Sequence, residues 1–72
     1  MATLSERLLS LKSERNLLQK DIAKALNLSL RSYQRYESGE REPTVSALTA
    51  MADYFNVSLD YLTGRSDEPG RR

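Results

Sequence analysis

The sequence predicts an all-α protein, a compact five-helix bundle built around a central helix-turn-helix. Three observations lead there. The chain has 72 residues, enough for one small domain with an economical core. It contains no cysteine and no histidine, so disulfides are excluded and a zinc site would have only carboxylates to use. Apolar residues recur at helical spacing between capping and stopping residues along most of the chain. Without staples, a domain of this size depends on efficient helix packing, with dimerisation as a further support.

The first helix is expected over residues 4–15. Leu4, Leu8 and Leu11 form its stripe, with Leu9 beside them. Thr3 or Ser5 can cap it, and Glu6 suits the positive end of the helix dipole. Lys12 and Arg15 suit the negative end. Asn16 tolerates the left-handed conformation that closes a helix, and Leu17 packs inward from the connector. The second helix runs from about Leu18 to Leu26 and gathers Ile22, Ala23 and Leu26 on one face. Ala23 is small where a neighbouring helix must come close. Asn27 makes the turn and Leu28 plugs it from inside.

Ser29 is the N-cap of a third helix, Leu30–Ser38, which Gly39 ends. Steps of about 100° per residue place Leu30, Arg31, Gln34, Arg35 and Ser38 on one side and Ser32, Tyr33, Tyr36 and Glu37 on the other. The two tyrosines then belong to the core. An inward Glu37 needs a partner, because a buried carboxylate is costly alone. Lys12 of the first helix is the candidate, and the alternative is a partly exposed glutamate near the helix end.

Residues 40–43 form an extended polar loop, since Pro43 biases Glu42 away from helix. Thr44 caps a fourth helix, Val45–Phe55, with a buried stripe of Val45, Leu48, Met51, Ala52 and Phe55. Asn56 closes it, Val57 packs beneath, and Ser58 caps a last short helix ended by Gly64. Leu59 and Leu62 of that helix point in. Tyr54 and Tyr61 are expected half exposed, either as a dimer face or as ordinary surface aromatics. Residues 1–64 make the domain. Residues 65–72 hold no apolar side chain and read as a flexible tail or the start of a linker.

The formal net charge is only +1, but its distribution is uneven. Residues 1–43 carry eight bases (Arg7, Lys12, Arg15, Lys20, Lys24, Arg31, Arg35 and Arg41) against six acids (Glu6, Glu14, Asp21, Glu37, Glu40 and Glu42), whereas residues 44–64 carry Asp53 and Asp60 and no base. Such polarity can orient a protein on DNA, and it is also found on ordinary solvated surfaces. A short helix held at an angle with Leu30, Arg31, Gln34 and Arg35 free has the geometry that enters a DNA major groove. Gln19, beside the unpaired N–H groups of a helix start, is a natural phosphate contact or else a plain exposed glutamine. Arg41 can reach a phosphate as well, although the flanking Glu40 and Glu42 weigh against it. No catalytic constellation is visible, so neither enzymatic activity nor a cofactor is expected. No apolar run approaches the roughly 20 residues needed to cross a bilayer, and no signal peptide is visible, so a cytoplasmic location is expected.

Three stretches, LKSERNLLQKDIAKALNLS, RSYQRYESGEREP and LTAMADYFNVSLDYLTG, resemble the lambda-repressor-like, Cro/repressor-type helix-turn-helix domain of phage and bacterial regulators. The likeness covers residues 4–64 in order and spacing. It rests on Gln19 at the start of the second helix, on Ile22 and Ala23, and on Leu26, Asn27 and Leu28 at the turn. Glu37, Ser38 and Gly39 follow at the end of the third helix, and Asn56, Val57 and Ser58 come before Leu62 and Gly64. Three positions depart from the pattern. Lys12 stands where the family usually has arginine, Asn27 where it usually has glycine, and Leu18 where a threonine or serine commonly caps the second helix.

The resemblance implies a sequence-specific transcription regulator, most often a repressor, that binds double-stranded operator DNA as a homodimer. It implies that Leu30, Arg31, Gln34 and Arg35 face base edges. Gln19, Ser29, Ser38, Gly39 and Arg41 would hold the backbone, and Lys12 would pair with Glu37. A different class of function is a helix-turn-helix domain that serves as a protein-interaction module, such as an antitoxin. That reading leans on the acidic fourth helix with Tyr54 and Tyr61.

Overall fold

The computed structural model describes residues 2–70. All regular structure among them is helical, in the order α1 (Leu4–Glu14), α2 (Gln19–Ala25), α3 (Leu30–Ser38), α4 (Val45–Phe55) and α5 (Leu59–Leu62). The ends of α3 and α4 fall where their caps and stop signals place them. Helix α1 starts at Thr3, whose hydroxyl accepts from the Glu6 N–H while the Glu6 carboxylate accepts from the Thr3 N–H. That reciprocal pair satisfies two donors that the helix start would otherwise leave open. Asn16, Asn27 and Asn56 all adopt the left-handed conformation, with φ of 53°, 57° and 56°. Each asparagine lets the chain turn straight into the next connector, as expected of its short polar side chain. Helix α2 begins at Leu18 with no side-chain cap, the consequence of leucine at that position.

Helices α1 and α2 both pack on α3, and α5 joins α1 to α4. Leu8, Ile22, Tyr33, Met51, Phe55 and Leu62 are fully buried at the centre. Leu17 and Leu28 of the connectors pack against this core from outside. Leu9, placed beside the α1 stripe, is 45% exposed, and two further expected core positions are not core. Val45, in the first turn of α4, is 80% exposed. Leu59 is 44% exposed at the first turn of α5, where the burial falls instead on Tyr61 and Leu62.

Tyr61 corrects a further expectation. It is buried rather than half exposed, because the Arg7 guanidinium lies over its ring at 4.0 Å. Arg7 also donates to the Ser66 carbonyl and to Asp67. Residues 65–70, read from the sequence as the start of a tail, run back along α5. The N–H groups of Arg65 and Ser66 donate to the Asp60 carbonyl, and the Ser58 N–H donates to the Pro69 carbonyl. Gly64 makes the bend at φ +85°, where a Cβ would lie 1.7 Å from the Ala2 carbonyl oxygen. The rest of the expected tail, residues 71–72, lies outside the described residues.

Candidate nucleic-acid interface

Helix α3 is held at both ends and along its underside. Ser29 caps its first turn by accepting from the Ser32 N–H. Gly39 closes it at φ +82°. The Ser5 hydroxyl of α1 donates to the Glu37 carbonyl in the last turn. Tyr33 and Tyr36 anchor the inner face, as their spacing predicts.

Glu37 completes that face. Its side chain is almost fully buried, and Lys12 Nζ lies 2.7 Å from its Oε1. Gln19 Nε2 donates to the same oxygen at 2.8 Å. Burial pushes the carboxyl pKa upward, but the hydrogen bonds from Lys12 and Gln19, with Tyr33 nearby, outweigh it and hold Glu37 below the usual carboxylate range. Burial first, and the adjacent Glu37 second, pushes the Tyr33 phenol well above its ordinary pKa, so it remains neutral. The Tyr33 hydroxyl and Glu37 Oε2 are buried without a formed hydrogen bond. The inward carboxylate therefore has the Lys12 partner expected of it, and a second donor, Gln19, that sequence reasoning did not foresee.

The outer face carries the side chains singled out by helical spacing. Arg31 and Gln34 are exposed, Arg35 is half-buried, and Leu30 is 42% exposed. Arg31, Gln34, Arg35, Ser38 and Glu40 line a shallow groove of about 280 Å³. Among the described residues the ion pairs are Arg7–Asp67 and Lys12–Glu37, so both arginines of this face have unpaired charges. Ser29, Ser38, Gly39 and Arg41 are also exposed around it. The Ser38 hydroxyl donates to the Arg35 carbonyl, and the Ser29 hydroxyl donates to Ser32. Gln19, expected as a phosphate contact or else a plain exposed glutamine, is half-buried and hydrogen-bonded within the protein. Its oxygen accepts from Gln34 Nε2 at 3.1 Å while its nitrogen serves Glu37. Tyr54 is 36% exposed on α4, with its ring edge-on to Phe55. Buried Tyr61 does not share that exposed surface.

Neither a membrane-spanning helix nor a metal-binding group of three or more acidic, histidine or cysteine residues is present among the described residues. Five short helices, with α3 presented outward across the α2–α3 turn, define a lambda-repressor-like helix-turn-helix domain. Comparison with known proteins places it more narrowly. A family model described as Helix-turn-helix matches residues 10–62, and the chain belongs to that family, in its Cro/repressor type. It is 40% identical over 62 residues to the cryptic phage CTXphi transcriptional repressor RstR of Vibrio cholerae, covering 86% of this chain and 55% of that protein. It is 31% identical to the HTH-type transcriptional regulator ImmR of Bacillus subtilis, covering 90% of this chain and 51% of the relative. The chain thus spans about half the length of these curated relatives. Among solved structures, a transcriptional regulator from Listeria innocua superposes with a TM-score of 0.81 at 39% identity, covering 86% of this chain and 58% of that one. The P22 c2 repressor, solved in complex with a synthetic operator, has the same fold, with a TM-score of 0.83 at 23% identity and coverage of 92% and 100%.

Proposed function

We propose that this domain is the operator-reading part of a transcription repressor that binds double-stranded DNA by inserting α3 into the major groove. The observation that carries the reading is the pair of arginines without an ion-pair partner, exposed Arg31 and half-buried Arg35, on a helix whose opposite face is locked into the core. A guanidinium presents paired donors that match O6 and N7 of guanine, and each such pair gives about 1–3 kcal/mol of discrimination. Leu30 contacts a thymine methyl, and Gln34 pairs with adenine. Ser29, Ser38, Gly39 and Arg41 set the register on the phosphates, with what remains free of the Gln19 amide.

A homodimer reads two half-sites of a palindrome, about 34 Å apart. The exposed Tyr54 on the base-free α4 side is a candidate for its contact. Repression follows from occupying a promoter, and the site of action is the cytoplasm. The similarity to RstR, named as a phage transcriptional repressor, supports this choice of function.

The test is selection of binding sites from random duplex DNA by the wild type and by Arg35→Ala. A selected sequence for the wild type, with preference lost at one base pair in the variant, is the expected result. An unchanged preference would remove the base-reading role. No binding even at low salt, together with a co-purifying protein, would replace DNA reading by the interaction-module function.

A further inference from the structure

Among the described residues, Glu40 is the one acid lining the groove on the outer face of α3, which it shares with Arg31, Gln34, Arg35 and Ser38. Its place there is set by the backbone. Gly39 turns the chain left-handed at φ +82°, and the N–H groups of Glu40 and Arg41 then donate to the Arg35 carbonyl at 3.0 and 3.3 Å. The chain is thereby folded back onto the turn that carries Arg35. The Glu40 side chain is exposed, and neither ion pair among the described residues includes it, although two guanidinium groups line the same groove. Glu42, two residues on, does not line that groove.

A carboxylate accepts hydrogen bonds and donates none. That decides what it can meet in a groove pressed against DNA. Phosphates, N7 and O6 of guanine and O4 of thymine all repel it. Two donors project into the major groove, N4 of cytosine and N6 of adenine. Beside adenine N6 lies the N7 acceptor, which the second carboxylate oxygen would face. Beside cytosine N4 lies only a C–H, so cytosine is the base that satisfies a carboxylate. The arginines of the same groove suit guanine, and the groove thus holds complements for both halves of a G·C pair. We infer that Glu40 is a specificity-determining residue that accepts a hydrogen bond from N4 of an operator cytosine. The inference rests on the DNA-reading function proposed above and adds to it a residue past the end of the reading helix, the base it selects and the atom it meets.

The experiment uses the duplex recovered by selection with the wild-type chain and a set in which each base pair is replaced in turn. Glu40→Ala should flatten the preference at one C·G pair by about fivefold to tenfold, the low end for a base contact, and leave the other positions alone. Glu40→Gln should move the preferred base there from cytosine toward adenine, because a glutamine carries a donor beside its acceptor. Both variants keep the turn after α3, whose bonds to Arg35 are made by the backbone. N4-methylcytosine at that position keeps the base pair but covers the N–H that faces the groove. It should weaken wild-type binding several-fold and leave Glu40→Ala almost unchanged, since the two changes remove one contact and are not additive. Glu42→Gln is the control for charge alone and should shift affinity equally on every duplex.

Three outcomes would overturn the inference: no cytosine preference that depends on residue 40, a Glu40→Gln gain in affinity spread evenly over all duplexes, or wild-type binding indifferent to N4-methylation. The second would make Glu40 a brake on phosphate binding instead. If Arg35→Ala still abolishes a preference in any of these events, DNA reading stands and only the cytosine contact falls. If the wild type selects no sequence, both fall.

Discussion

Replacing Lys12 by methionine tests the energetics that hold α3. The substitution preserves most of the apolar stem and removes the ammonium that lies 2.7 Å from Glu37 Oε1. Breaking a buried pair from one side costs about 3–5 kcal/mol, because the remaining charge is stranded. Two features of this site lower that figure. The Lys12 side chain is 25% exposed, so water can partly replace it, and the Gln19 hydrogen bond to the same oxygen survives. About 2–3 kcal/mol is therefore expected. A 72-residue domain has about 4–11 kcal/mol of stability in total, so the loss is substantial. It corresponds to a fall in Tm of about 8–24 °C.

The pH dependence gives the sharper signature. Glu37 has a folded pKa below its unfolded value, so its contribution is present above the unfolded value of about 4.3 and disappears as pH falls through the folded one. In Lys12→Met the carboxyl loses its strongest stabilising partner and takes up its proton at a higher pH. Urea denaturation of both proteins from pH 7 to pH 3 should therefore show a gap that closes with acid. A gap under about 0.5 kcal/mol at pH 7, or one that widens as pH falls, would refute the account of Glu37 given above.

Two glycines at positive φ should behave differently in the same denaturation assay. Gly39→Ala meets only Ser5 Cβ at 3.9 Å, so it should cost the left-handed penalty of about 1–2 kcal/mol, whereas Gly64→Ala adds a 1.7 Å clash with the Ala2 carbonyl and should cost clearly more. Equal losses would mean that the chain start yields freely. Within α5, Leu62→Ala should cost about 2–5 kcal/mol, since Leu62 is 0% exposed. Leu59→Ala, at a position 44% exposed, should change stability by about 0.5 kcal/mol or less. A reversed order would mean that the short helix is rotated about its axis. The expected loss of one base preference in Arg35→Ala, read by selection from random DNA, completes the set.

The helix limits were legible because the relevant signals are local. Ser29 and Thr44 start α3 and α4, and Gly39 and Asn56 stop them, each acting within a few residues of its own position. The two faces of α3 were legible for a related reason: helical periodicity separates Tyr33 and Tyr36 from Arg31 and Gln34 wherever the neighbours lie. Periodicity fails at helix ends. Val45 and Leu59 have the right spacing for burial, but nothing local says that the partner surface stops short of them. Tyr61 and Gln19 illustrate the other limit. One is covered by Arg7, 54 positions before it in the chain, and the other is engaged by Gln34 and Glu37 across the α2–α3 turn. Residues 65–70 have no apolar side chain to announce their packing, and backbone hydrogen bonds and Arg7 hold them instead. The pairing of Lys12 with Glu37 is the exception, a distant contact anticipated because a carboxylate on an inward face demands a cation.

The ties on α3 also bear on how recognition would divide between the two molecules. Its first turn is capped by Ser29, its last turn is fastened to α1 through Ser5, and its inner face is clamped by Glu37. A reading helix so fixed has little conformational freedom left to surrender on association, and its side chains are displayed at set angles. The duplex is then the softer partner. Whatever mismatch remains between groove and helix is taken up by bending and twisting of the DNA, whose cost depends on base steps that no side chain touches. On the proposed function, operator choice would extend to those untouched steps, so a stiff protein would select for a compliant stretch of DNA as well as for the bases it meets.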